Sequence, residues 1–89
     1  KLGIASALEE LGAVSAVRGD GAQAAMLFST AHALREGMGA PLPPVDRASH
    51  DAVVAACRAQ LGETAFAEAW AHAAARPFQE VVEEVLRLR

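Results

Sequence analysis

His32 and Glu36 stand four residues apart, one helical turn, so an imidazole and a carboxylate could meet on one face and offer two ligands to a metal ion. A closed site needs a third and a fourth ligand, and nothing nearby in the chain supplies them. A place on a helix surface is the better reading. His50 and Cys57, seven apart, could share a helix face and invite a thiol–imidazole nucleophile. Free cysteine is among the most buried residue types, however, and a small apolar core side chain accounts for Cys57 without chemistry. No serine has a histidine and an acid at suggestive spacing. The carboxylate pairs Glu9-Glu10 and Glu83-Glu84 are of the kind that solvated helix faces carry. No motif names a reaction class, so the expectation is a protein that is not an enzyme and holds neither metal nor cofactor.

The single tryptophan, Trp70, follows Phe66 by one helical turn. The two rings either fill a core or offer an anchor to a partner, since Trp is enriched at binding hot spots. The area an aromatic buries favours the core, and loss of Trp70 is then expected to cost about 3–5 kcal/mol.

Helices must position all of these side chains. Ile4, Leu8, Leu11 and Ser15 or Val14 recur at three- and four-residue spacing and predict a helix from about Leu2 to Arg18. Gly19-Asp20-Gly21 breaks it, with Asp20 placed to cap the next helix. Ala24, Leu27, Phe28, Ala31, Leu34 and Met38 trace the apolar stripe of that second helix, which so short a turn obliges to run antiparallel to the first. Pro41, Pro43 and Pro44 make 39–45 a linker. Asp46 is then placed to cap a third helix to Leu61, with Ala48 or Ser49, Val53, Ala56 and Gln60 or Leu61 inward. After Gly62 a fourth helix carries Phe66, Ala69, Trp70 and Ala73, and Arg76-Pro77 interrupts it. A last helix from Phe78 to about Leu88 carries Val81, Val82, Val85 and Leu86, with Glu83 and Arg87 four apart in the supportive order.

Composition agrees. Of the 89 residues 53% are hydrophobic, yet only 4% are aromatic, because alanine makes up about a quarter of the chain. Alanine is the best helix former and lets helices approach closely. Runs of β-branched residues and tyrosine that would favour strands are missing. A net charge of -3 offers no attraction to phosphate backbones, so direct nucleic-acid binding is disfavoured. No apolar run reaches the length of a membrane span, and no signal peptide is legible. The lone cysteine fits a reducing compartment, and a cytoplasmic protein is expected. Lys1, entering a helix almost at once, points to a single domain cut from a longer protein: a hairpin over 1–38, the linker 39–45, and capping helices over 46–89.

The first hairpin resembles a tetratricopeptide repeat. Leu11-Gly12 sits on the repeat's Leu-Gly pair, Ala24 and Phe28 on its Ala-x3-Phe element, and Gly19-Asp20 at its turn. Leu8, Ser15 and Glu36 depart from the usual Trp, Tyr and terminal Pro. Beyond the hairpin, LREGMGAPLPP (34–44), LGETAFAEAWA (61–71) and PFQEVVEEVL (77–86) are similar to the C-terminal tetratricopeptide-like region of bacterial LuxR-type and related ATP-binding transcriptional regulators. His72, Ala73 and Ala74 depart from the stretch expected after Trp70. The resemblance implies an all-α superhelical or right-angle array, with the hairpin as its last repeat and about three further helices sealing its end. The implied role is a protein-interaction scaffold in which Leu8, Leu11, Gly12, Ala24, Phe28, Ala31, Phe66 and Trp70 carry the architecture. Its partners would be upstream repeats or other modules of the same polypeptide, or a second copy in a homodimer. Neither a phosphate-binding loop nor a LuxR-type recognition helix is present in the chain itself. A different role, a small-molecule sensor with a pocket between the hairpin and the last three helices, is also open.

Overall fold

A computed structural model describes residues 2–87, the side chain of Leu2 apart. Five helices follow one another: α1 (Leu2–Val17), α2 (Gly21–Met38), α3 (Pro44–Leu61), α4 (Glu63–Ala74) and α5 (Phe78–Arg87). No strand occurs among the described residues. No described helix is long and apolar enough to cross a membrane. The Leu88 expected to end the last helix lies outside the described residues.

The fold is organised around α2. Its sequence places buried side chains almost all the way round, at Ala24, Ala25, Leu27, Phe28, Ser29, Thr30, Ala31 and Arg35, so it is covered on several sides rather than along one stripe. The Asp20 carboxylate accepts the Gln23 backbone N–H at 3.2 Å and caps its start. Gly39 closes its end in the left-handed conformation, with Ala40 N–H donating to the Arg35 carbonyl at 2.9 Å. α1 returns antiparallel along α2, and the close approach is made at Gly12: a Cβ there would stand 2.9 Å from Phe28 Cε1. The ring of α2 thus lies on the bare backbone of α1.

Two cores form on different sides of α2. On one, Ala24, Ala25 and Phe28 pack with Cys57 of α3 and Phe66 of α4, with Val53, Val54, Leu61 and Trp70 around them. On the other, Leu27 and Ala31 of α2 and Leu8 of α1 receive Val81 and Val85 of α5.

Three local expectations are corrected. Helix α3 begins at Pro44, not after the linker, because proline's missing N–H costs nothing in a first helical turn. Asp46 therefore sits inside that turn and caps nothing; its own N–H bonds the Pro43 carbonyl at 3.0 Å. The inward face of α3 is His50, Val53, Val54, Cys57 and Leu61, while Ala48, Ser49, Ala56 and Gln60 are exposed. With alanines on every side, the 3.6-residue period admits two neighbouring stripes, and the bulkier aliphatic residues decide between them. On α1 the choice falls to Ser15, which is buried, whereas Ile4 and Val14 are exposed.

The joint between α3 and α4 is a single residue. Gly62, at φ 91°, donates to the Arg58 carbonyl at 2.8 Å and accepts from the Phe66 N–H at 3.0 Å, so one glycine ends one helix and opens the next.

Candidate functional site

A cleft lies where α1, the C-terminal end of α2, the connection to α3 and the first half of α3 meet. It encloses about 500 Å³ between Glu9, His32, Arg35, Glu36, Leu42, Arg47, His50 and Asp51. Past Arg35 and His50 it continues into a hollow of about 330 Å³ that reaches Ser6, Glu10, Asp46 and Val53. The larger part lies within the range of small-molecule sites.

A buried ion pair anchors it. Arg35 donates through Nε to Glu9 Oε2 at 2.6 Å and through Nη2 to Glu9 Oε1 at 2.9 Å, a two-point grip of α2 on α1. The same guanidinium reaches Ser6 Oγ at 3.4 Å and the Ala40 carbonyl at 3.2 Å, which ties the connection to both helices. Only 10% of the Arg35 side chain and 13% of the Glu9 side chain are exposed. The hydrogen bond that Arg35 donates to Glu9 raises the Arg35 pKa against the opposing effect of burial, so the guanidinium stays charged. Glu9 is therefore no solvated acid, unlike the exposed Glu10. The signal lay in the hairpin register: Gly12 opposite Phe28 puts Glu9 within about a turn of Arg35.

Glu84 is corrected in the same sense. It accepts from Arg76 Nη2 at 3.0 Å, while Arg76 Nε reaches Glu80 at 3.2 Å.

The histidines are apart from the thiol's chemistry. His50 sets its ring edge-on to Phe28, with centroids 5.2 Å apart. Cys57 donates its S–H to the Gly21 carbonyl at 3.1 Å, and burial pushes its pKa up, against thiolate formation. His32 is exposed, with Nε2 3.5 Å from Glu36 Oε1 and its ring 5.9 Å from Trp70. Among the described residues no three His, Cys, Asp or Glu side chains come together as a metal site.

The architectural residues divide between the two cores. Leu8 and Ala31 enter the α5 side, with Leu11 half-buried against it. Ala24, Phe28 and Phe66 are buried on the other, and Gly12 lies beneath the Phe28 ring. Trp70 is half-buried there, its ring 5.5 Å from Phe66. Its outer side borders a groove of about 320 Å³ with Val54, Arg58 and Glu63. Arg58 lies 4.9 Å over the Phe66 ring and 3.3 Å from Glu63. Trp70 thus contributes to the core and to a surface, and Phe66, though buried, lines the same groove.

Comparison with protein families, with curated proteins and with solved structures finds no match to this chain.

Proposed function

We propose that the chain is a non-catalytic protein-interaction and regulatory scaffold, the closing end of a tetratricopeptide-like helical region in a bacterial LuxR-type transcriptional regulator. The observation that carries this reading is an uncovered apolar stripe on α1. Ile4, Ala7 and Val14 lie on one face with the half-buried Leu11 at its edge, and Ile4 and Val14 remain 37% and 47% exposed. In a stacked array this is the face on which the preceding helix pair would pack. The Phe28 ring seated on Gly12 supports a repeat-like pairing of α1 with α2.

Titration with the helical hairpin that precedes this segment in the parent regulator tests the reading. Binding is expected at α1 and is lost in Val14→Lys, which places a charge in the stripe. Absence of binding, together with a strictly monomeric chain at high concentration in sedimentation equilibrium, defeats it.

The cleft around Arg35 and His50 favours a second reading, a small-molecule sensor. A metabolite that enters it raises the melting temperature of the wild-type chain, and the rise shrinks in His50→Ala. A metabolite panel with no such rise leaves the scaffold reading alone.

A further inference from the structure

Once the pairs that hold the fold are set aside, the cleft beside Arg35 keeps charges that no other group of the described chain neutralises. Arg35 itself is occupied: Glu9, Ser6 and the Ala40 carbonyl take its donors, so it stands as a fixed partition rather than a recognition group. Arg47 and Asp51, one turn apart on α3, both line the cleft. Among the described residues neither side chain enters an ion pair, even with the other. Glu36 of α2 shares the space, 3.5 Å from His32. The adjoining hollow adds Glu10 of α1 and Asp46 of α3, which likewise form no ion pair among the described residues. Five carboxylates and two guanidiniums line cleft and hollow together, an imbalance equal to the net charge of -3 of the whole chain. Charges of one sign gathered in a concave wall draw in a ligand of the other. Leu42 and His50 border both spaces, so an alkyl chain can run from one to the other.

We propose that the cleft binds a free α-amino acid with a basic side chain. The carboxylate and ammonium on its α-carbon match Arg47 and Asp51, which stand one turn apart with opposite charge. Its side-chain cation reaches the carboxylates of Glu10 and Asp46 in the hollow, with the alkyl stem against Leu42. A plain dication would leave Arg47 facing a like charge, and a zwitterion with an apolar side chain would leave the acids of the hollow without a counter-charge. The Arg35–Glu9 grip fixes α1, α2 and the connection around the site before the ligand arrives, so little ordering is needed on binding. The proposal rests on the sensor reading of the cleft and names its ligand class.

L-Lysine, titrated into the full chain by calorimetry at low ionic strength, is the probe. It is expected to bind and to raise the melting temperature. Cadaverine, which lacks the carboxylate, and L-norleucine, which lacks the side-chain ammonium, each bind about tenfold more weakly, the loss of one charge-assisted contact. Arg47→Ala removes the advantage of lysine over cadaverine without weakening cadaverine itself. Glu10→Gln with Asp46→Asn removes the advantage of lysine over norleucine. All three side chains are exposed, so both variants should keep the wild-type circular dichroism. Cadaverine that binds wild type as tightly as lysine overturns the proposal, because an acidic wall alone would then suffice. Norleucine that binds as tightly, or lysine that does not bind, overturns it as well. If another metabolite raises the melting temperature and loses that effect in His50→Ala while lysine has none, the ligand class fails and the sensor reading stands; if no metabolite does, both fail.

Discussion

The two cores on either side of α2 are built from different materials. Towards α3 and α4 the contact is aromatic and tied by hydrogen bonds: Phe28 and Phe66 are buried, Ser29 Oγ donates to the Trp70 carbonyl at 2.8 Å, and Cys57 bonds the Gly21 backbone. Towards α5 the buried cluster is aliphatic, Val81 and Val85 on leucine and alanine with Val82 beside them, and Arg76 bonds Glu80 and Glu84 at its edge. Aromatic burial brings more area per residue, and directional bonds fix one geometry. Small aliphatic contacts are weaker and less directional. The α3–α4 side is therefore expected to be the stronger and the α5 side the easier to open.

The largest test of this contrast is Phe66→Ala, expected to cost about 4 kcal/mol, a large part of the stability of a domain this size. Thermal unfolding should stay a single transition at a much lower temperature, because α3, α4 and the hairpin share that core. A separate early loss of α4 alone would break the contrast. Next comes Glu9→Ala, which leaves Arg35 charged and nearly buried without its carboxylate, a loss of about 3 kcal/mol. Replacing both Glu9 and Arg35 by methionine should recover most of it, since an apolar pair needs no compensating charge. Urea denaturation of the three chains decides; a double variant as weak as Glu9→Ala would show that the pair's geometry, not its desolvation, matters.

Much of this was legible in the sequence. Five helices, their order and the breaks at Gly19, Gly39, Gly62 and Pro77 follow from periodicity and from residues that cannot continue a helix. Phe28 against Gly12 could be anticipated from the register of a short hairpin. The face of α3 could not, because alanine fits inside or outside equally well and leaves the stripe undetermined within one residue. Asp46 misled because a proline two residues earlier makes a better first turn than an aspartate makes a cap. The cleft was not legible, since Glu9, Arg35 and His50 come from three elements and meet only through the packing between helices. Only the hairpin register, with Gly12 opposite Phe28, hints at Glu9 beside Arg35; nothing in the sequence brings His50 to the pair.

Val85→Ala measures the weaker side directly. It removes two buried methyl groups and should cost about 2 kcal/mol, less than Phe66→Ala. Its effect should also be local. Amide hydrogen exchange is expected to accelerate in α5 while α2 and α4 retain their protection, because opening of the short helix need not disturb the other core. Uniform acceleration across all five helices would make the two cores one cooperative unit.

Ser29→Ala is the smallest and the sharpest test of what fixes the stronger side. The Ser29 hydroxyl is buried and donates to the Trp70 carbonyl of α4. Removing it leaves that carbonyl without the Ser29 bond and should cost about 1 kcal/mol. Because the bond joins α2 to α4 in one register, the loss should be read out at Trp70 as well as in stability. A shifted or broadened indole emission in a chain that remains helical is the expected result. If emission and stability are both unchanged, the aromatic packing alone sets the register, and hydrogen bonding is not what distinguishes this core from the one beneath α5.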